Sequence, residues 1–158
     1  MIRITKQTDY GIVLMTHLAA GSGRRYNAPD LAMETNLPLP MVSKILKLLA
    51  RDGLLDSHRG AKGGYALARD ASEITVDEII TSLEGPVAIT ECIDAAPGEC
   101  EHEPGCPTRA NWQVINRAVR RALEGITLAE MTHPIPREKL VALGGGRLRQ
   151  AQGAASTG

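Results

Sequence analysis

The fold is decided by residues 54–68, whose sequence is LLDSHRGAKGGYALA. The two ends of this stretch, Leu54 to His58 and Tyr65 to Ala68, have the composition of short β-strands. Between them lies a glycine-rich turn that carries Arg59 and Lys62. Such a turn between two strands predicts a β-hairpin with a basic tip.

Two helices are predicted upstream of the hairpin. Apolar residues recur at near-helical spacing from Thr8 to Ala20, where Thr8 can cap the first turn and Gly21 can end the helix. A shorter helix is predicted from Ala28 to Glu34, with Asn27 as its N-cap. Pro38 ends this region, because proline disfavours helical geometry at the residue before it.

A third helix is predicted from Pro40, which suits a first helical turn, to about Asp52. Its predicted buried positions are Met41, Ile45, Leu48 and Leu49. Three helices followed by a basic hairpin are typical of a winged helix-turn-helix, whose third helix enters the major groove of DNA. The sequence therefore predicts a mainly α fold with a small β-hairpin wing, and double-stranded DNA as its partner.

The wing can contact DNA through Arg59 and Lys62, which can reach phosphates or the adjoining minor groove. A glycine-rich loop can also bind nucleotide phosphates. This loop has neither the spacing of a P-loop nor a helix directly after it, so that kind of site is excluded.

Two more helices are predicted, from Thr75 to Leu83 and from Thr108 to about Glu124. The second has an apolar stripe too broad for a lone surface helix: Val114, Ile115, Ala118, Val119, Ala122 and Leu123. We expect it to pair with a second copy, because a palindromic operator requires a two-fold homodimer. The expected organisation is a DNA-binding domain at 1–86, a cysteine loop at 87–107, a dimerisation helix region at 108–131 and an extended tail of disordered composition at 132–158.

The charges are unevenly distributed along a chain whose formal net charge is zero. Residues 1–69 hold ten basic and five acidic side chains, residues 70–106 hold ten acidic and no basic ones, and residues 107–158 hold eight basic and three acidic ones. The basic first block suits a polyanion. The acidic block contains all three cysteines.

Cys92, Cys100 and Cys106 follow the pattern C-x7-C-x5-C. Thiolates select zinc, copper(I) or iron–sulfur clusters, and His102 can complete a zinc site of three cysteines and one histidine. The spacing leaves an iron–sulfur cluster, zinc and unligated thiols open. Iron–sulfur clusters usually have four protein ligands, so three cysteines leave one iron to another donor. We expect the acidic surroundings to raise the thiol pKa values, which would make occupancy responsive to supply.

Several classes of protein are disfavoured by the sequence. It has no apolar run long enough for a membrane span and no signal-peptide stretch, so a cytoplasmic location is expected. An odd cysteine count without an export signal favours metal or redox chemistry over a disulfide framework. No C-x-x-C motif, nucleophile–base pair or cofactor fingerprint indicates an enzyme or a small-molecule substrate.

Five short motifs occur in order: RITKQTDY at 3–10, HRGAKGGY at 58–65, LEGP at 83–86, TEC at 90–92 and CPTRANW at 106–112. The first two resemble the first-helix start and the wing of the IscR-like winged-helix transcription regulators. The other three are similar to the branch that regulates the SUF iron–sulfur assembly system. The resemblance covers about residues 1–131. It implies a homodimeric regulator with a 2Fe–2S or 4Fe–4S cluster in each cysteine loop.

The resemblance also implies roles for individual residues. The positions that would face the major groove are Pro40, Met41, Ser43, Lys44 and Lys47, with Arg59 serving the wing. IscR has a histidine ligand three residues after the last cysteine, where this chain has Arg109, which cannot ligate. Some relatives use an aspartate from the partner chain's first helix, and Asp9 matches that position. We rank Asp9 first and His102 second as the fourth ligand.

The expected function is a DNA-binding repressor of iron–sulfur biogenesis genes, with cluster loss or oxidation as its signal. One alternative keeps the DNA-binding fold but senses through zinc or a thiol–disulfide pair. The other is an iron–sulfur carrier.

Overall fold

The fold is that of a winged helix with additional C-terminal helices. The computed structural model describes residues 3–21, 23–60, 63–90 and 105–133. Its elements are α1 (Lys6–Ala20), α2 (Ala28–Thr35), α3 (Leu39–Arg51), β1 (Leu55–His58), β2 (Gly64–Leu67), a short 3-10 turn (Ala71–Glu73), α4 (Val76–Glu84), α5 (Arg109–Glu124) and α6 (Leu128–Met131). The predicted fold class, mainly helical with a small antiparallel hairpin, is confirmed. Within the described residues, no helix is long and apolar enough to span a bilayer.

The core is aliphatic and lies where α1, α3 and α4 meet. Its fully buried side chains include Leu14, Met15, Leu31, Val42, Ile45, Leu46, Leu49, Ile79 and Leu128. The predicted buried face of α3 was partly wrong, because Met41 and Leu48 lie at its margins and are only partly buried. Val42 and Leu46 take the central positions, one helical turn apart on the face of Ile45 and Leu49.

The helix α1 begins earlier than predicted, and its N-cap is Thr5 rather than Thr8. The earlier start of α1 is explained by hydrogen bonds to Glu84, at the end of α4. Its Oε1 accepts hydrogen bonds from the Thr5 N–H at 3.0 Å, from the Thr5 hydroxyl at 2.6 Å and from the hydroxyl of Thr8, which is fully buried. This long-range contact stabilises the first turn, and it ties the start of α1 to the end of α4.

The carboxylate of Glu84 makes part of the stability depend on pH. Partial burial raises the pKa of Glu84, but hydrogen bonds from Thr5 and Thr8 outweigh burial and leave the pKa below its usual value. A lowered pKa means that the stabilisation is present above the unfolded-state pKa, about 4.3, and is lost as the pH falls through the folded-state value.

We expect Glu84→Gln to lower the free energy of unfolding at neutral pH by about 1 kcal/mol, a typical loss for a charged cap. The difference from wild type should shrink on acidification, which urea titrations at a series of pH values can measure. Glu73→Gln is the control. Glu73 is exposed, and its replacement removes the same charge as Glu84→Gln does. A Glu84→Gln deficit that stayed constant down to acid pH would contradict the assignment.

The wing is a hairpin held by a third segment. Strands β1 and β2 pair antiparallel with Leu55 opposite Leu67 and His58 opposite Gly64. Tyr26, just before α2, bridges to Tyr65: the Tyr26 N–H donates to the Tyr65 carbonyl at 3.0 Å, and the Tyr65 N–H donates to the Tyr26 carbonyl at 2.7 Å. Strand β2 of the wing is therefore attached, close to its turn, to the segment before α2.

Gly64 permits this bridge because its φ is +144° and a Cβ there would lie 2.7 Å from the Tyr26 carbonyl oxygen. We expect Gly64→Ala to lower the free energy of unfolding by about 2 kcal/mol or more, since both the backbone strain and the clash must be relieved. Gly53→Ala is the matched control: its φ is +77°, but nothing lies within 4 Å of its Cβ position. It should cost only about 1 kcal/mol. Equal losses in thermal or urea unfolding would show that the close approach has no energetic weight.

The predicted helix at 75–83 is confirmed as α4. Thr75 caps it in a capping box with Glu78, and Gly85 ends it. After α5, the chain returns to the core through a backbone bridge between Thr75 and Thr127, and Leu128 of α6 is fully buried there.

Candidate nucleic-acid interface and cysteine site

The predicted major-groove residues lie on the N-terminal half of α3. Pro40, Lys44 and Lys47 are exposed, whereas Met41 and Ser43 are partly buried. The opposite side of α3 supplies four fully buried side chains to the core, so the helix is fixed with its lysines outward. Such an orientation suits a helix that reads DNA.

Three exposed cations of this surface form no ion pair with a carboxylate among the described residues. Within the described ranges, Arg24, Arg51, Arg69 and Arg120 form ion pairs. Lys44, Lys47 and Arg59, which is exposed on the wing, form none there. Their charges remain available to phosphates, whose neutralisation releases counterions. Lys62 lies outside the described residues.

A groove of about 520 Å³ separates α3 from the wing. It is lined by Asn27, Ala28, Lys47, Ser57, His58, Arg59, Gly60, Gly63, Gly64 and Tyr65. Asn27 caps α2 by accepting a hydrogen bond from the Asp30 N–H at 2.8 Å. The positive end of α2 therefore opens into the same groove, as suits a DNA backbone phosphate. This contribution could not be predicted from the sequence, because the lining comes from three separate segments.

Cys106 lies three residues before Arg109, where α5 begins, and is partly buried. Its Sγ is 3.4 Å from the hydroxyl oxygen of Thr108. That side-chain hydrogen bond, followed by the backbone N–H of Thr108 and then by Arg109, lowers the pKa of Cys106. The expected rise in pKa is therefore wrong for Cys106, because its immediate neighbours are a hydroxyl, helix-start amides and a guanidinium.

The remaining candidate ligands are not brought together in the described residues. Cys92, Cys100 and His102 lie outside them. Asp9 is exposed on the first turn of α1. Among the residues that the structure describes, no group of three or more His, Cys, Asp and Glu side chains could hold a metal ion.

Helix α5 contacts the rest of the chain through its polar side. Asn116, only 6% exposed, bonds to the backbone of Val87 and Ile89, and Arg120 lies 3.4 Å from Asp77 of α4. The apolar side faces outward, with Val114 65% and Ile115 45% exposed. Of the predicted stripe, Val119 and Leu123 are partly buried, while the alanines are exposed.

Comparison with known proteins places this architecture in a family. Residues 4–134 match Rrf2, described as an iron-dependent transcriptional regulator. The chain belongs to the Rrf2 family. As an Rrf2 protein it is a DNA-binding transcription regulator, and the predicted resemblance to IscR-like regulators is confirmed. The matches do not specify the SUF branch, which stays a prediction.

The Rrf2 proteins to which this chain is similar include both IscR and CymR. The HTH-type transcriptional regulator IscR of Klebsiella pneumoniae is 29% identical over 133 residues, which cover 84% of this chain and 80% of IscR. The structure of CymR, the global cysteine regulator of B. subtilis, is similar with a TM-score of 0.65 at 30% identity, covering 84% of this chain and 97% of CymR. The T. potens IscR structure has a TM-score of 0.62 at 29% identity, covering 82% and 85%.

Proposed function

We propose that this Rrf2 protein is a homodimeric repressor whose affinity for a palindromic operator depends on an iron–sulfur cluster held by Cys92, Cys100 and Cys106. The observation that carries the proposal is the position of Cys106. A thiol of lowered pKa lies three residues before α5, the helix whose apolar face is exposed. The sulfur donor and the proposed dimer contact are therefore adjacent in the chain.

The donor set fits a cluster. Thiolates are the usual ligands of iron–sulfur clusters, and a lowered pKa favours the thiolate of Cys106. The fourth donor is Asp9 of the partner subunit, with His102 as the alternative. Because Asp9 is exposed on α1, it is accessible to a second copy. The cluster would be the sensing cofactor, because it would be lost when iron is scarce and oxidised when oxidants are present.

The exposed side of α5 supports the dimer. Val114 and Ile115 form an apolar surface that a second α5 would cover. A two-fold dimer presents two α3 helices to half-sites about 34–36 Å apart. Any change in α5 caused by the cysteine loop then alters the fit to both half-sites together. Sedimentation of the purified protein tests the dimer, and a monomer at micromolar concentration would contradict it.

The SUF-branch motifs favour iron–sulfur assembly genes as the target genes. The protein would act in the cytoplasm.

The decisive experiment compares two preparations of the protein. One is reconstituted anaerobically with ferrous iron and sulfide, and the other is metal-free. Both are titrated onto fragments of the promoters of its own gene and of iron–sulfur assembly genes. We expect a cluster absorption spectrum and an affinity ratio of about 5 to 150 between the two forms. A colourless protein, or equal affinities, would end the proposal.

A thiol-based sensor is the second candidate, favoured by the similarity to CymR and by the lowered pKa of Cys106. In that case the protein would hold no iron. Oxidation of the metal-free form would then change operator affinity, and a reductant would restore it. The same titrations with oxidised and reduced metal-free protein separate the two candidates.

A further inference from the structure

A cavity of about 300 Å³ lies where α4 and α5 meet the ends of α3 and of the β-hairpin. Its lining includes Asp52 at the end of α3, Arg69 after β2 and Arg120 of α5, together with residues of α4. A volume of this size is at the lower end of the range for small-molecule sites. A molecule bound there would contact the helix-turn-helix, the hairpin and α5 together, and the proposed function does not use this cavity.

Two of the carboxylates that line the cavity have close partners. The Glu78 Oε1 accepts a hydrogen bond from Arg69 at 2.8 Å. The Asp52 carboxylate accepts one from the Ser82 hydroxyl at 2.8 Å and one from the neighbouring Arg51 at 2.8 Å. These contacts join α4 to the end of the hairpin and to the end of α3, so the walls of the cavity are held together by specific bonds.

The third carboxylate, that of Asp77, is incompletely paired. Its side chain is only 8% exposed, and its Oδ2 lies 3.4 Å from the Nη2 of Arg120. A charge-assisted hydrogen bond is usually about 2.7–2.9 Å long. The Asp77 Oδ1 and the Arg120 Nε are both buried, and among the described residues neither has a hydrogen-bond partner. Because an unpaired buried polar group is costly, a molecule that supplies one donor and one acceptor would be stabilised here.

The charges of the cavity indicate the class of molecule. Among the described residues, the lining carries three carboxylates and two guanidinium groups, which favours a ligand with a positive group. A metal ion does not fit, since no group of His, Cys, Asp and Glu side chains in the described part of the chain could hold one. It would also give the Arg120 Nε no acceptor. The ammonium and carboxylate groups of an α-amino acid supply both partners.

We propose that this cavity binds a small α-amino acid, which acts as an effector of operator binding. Its ammonium group pairs with Asp77, and its carboxylate pairs with Arg120. Both unpaired atoms are shielded from solvent, so the ligand enters when Arg120 turns outward, as a side chain that is 43% exposed can do. The bound molecule then connects α4 to α5. The proposal does not depend on the iron–sulfur cluster; it requires only that the protein binds DNA.

The binding test is calorimetric titration of the full chain, in metal-free form, with glycine, L-alanine and L-serine. Lactate lacks the ammonium group and ethylamine lacks the carboxylate, so these two are the matched probes. We expect a Kd between about 10 µM and 1 mM for at least one of the amino acids, which is within the affinity that so few atoms allow. Lactate and ethylamine should bind at least about 10-fold more weakly, because each leaves one buried atom unpaired.

Two variants test the location of the site. Asp77→Asn and Arg120→Gln each remove one charged partner, and each should weaken binding by about 10-fold or more. Glu73→Gln and Arg117→Gln are the controls, because both residues are exposed, lie outside the lining and remove the same charges. Unfolding in urea checks that every variant is folded. If Asp77→Asn does not fold, Arg120→Gln still decides, since the Arg120 side chain is partly exposed.

The effector role is tested with the promoter fragments, titrated with and without a saturating concentration of the amino acid that binds. We expect operator affinity to change by about 5-fold or more in wild type and in the two controls, and to stay constant in Asp77→Asn and Arg120→Gln.

The outcomes separate this inference from the proposed function. If none of the three amino acids binds, or if Asp77→Asn and Arg120→Gln bind as wild type does, the site is refuted. Binding that requires both residues but leaves operator affinity unchanged would refute the effector role. Because no step of the test uses iron, failure here leaves the cluster proposal intact, and a protein that takes up no cluster can still show this site.

Discussion

Replacing Lys44 and Arg59 together by alanine is expected to weaken operator binding by about 100-fold or more. Lys44 is exposed on the recognition helix and Arg59 on the wing, and neither forms an ion pair among the described residues. A specific base contact contributes about 1–3 kcal/mol, and each lost phosphate contact reduces the salt dependence of binding. Fluorescence anisotropy at several salt concentrations measures both effects. The slope of log affinity against log salt should fall by up to about two units.

The control for this variant removes two positive charges elsewhere. Arg117 and Arg121 are exposed on α5, which packs against α4. Their double alanine variant has the same net charge as the Lys44 and Arg59 variant, so a general electrostatic effect would weaken both equally. Equal losses would refute the assigned interface. No loss in either would favour the iron–sulfur carrier, whose function does not require DNA.

Cys106→Ser is expected to abolish retention of the cluster and the response of operator affinity to it. Serine is close in size, but its hydroxyl is a poor ligand for iron compared with a thiolate. The affinity ratio between reconstituted and metal-free protein should fall to about one, which removes a coupling of roughly 1–3 kcal/mol. Iron and sulfide analysis, with operator titrations of both preparations, measures the two losses.

Thr108→Val is the matched control for Cys106→Ser. Thr108 contacts the sulfur of Cys106 but is not a proposed ligand, so the variant should keep its cluster. If Cys106→Ser retained cluster and response, Cys106 would not be a ligand. If the wild type bound no iron while Cys106→Ser abolished a response to oxidants, the thiol sensor would be the correct function.

Much of the fold could be predicted because its signals are local. The glycine-rich basic turn at 59–64 predicts the wing, and Asn27 and Thr75 predict helix starts that the structure confirms. The predictions were wrong where a residue far away in the sequence determines the local structure. Thr8 has the composition of an N-cap, but Glu84, far away in the chain, stabilises an earlier start at Thr5.

The candidate site could be predicted only in part. Lys44, Lys47 and Arg59 lie on the expected elements, since helical periodicity and hairpin geometry place them outward. The spacing of apolar residues in α5 predicts an apolar stripe on one side of the helix. It does not predict that Asn116, on the other side, is buried against the backbone at 87–89. Such a contact depends on the path of the chain after α4, which a single sequence does not encode locally.

The backbone bridge between Tyr26 and Tyr65 restricts how a signal can reach DNA. The bridge joins the wing to the segment before α2, so the hairpin is attached to the helices by two backbone hydrogen bonds. In the proposed homodimer, we therefore expect a signal to change the separation of the two DNA-binding units rather than the shape of either one. Inserting or deleting one base pair at the centre of an operator should thus alter the preference for holo over apo protein. Changing bases within a half-site should weaken both forms alike.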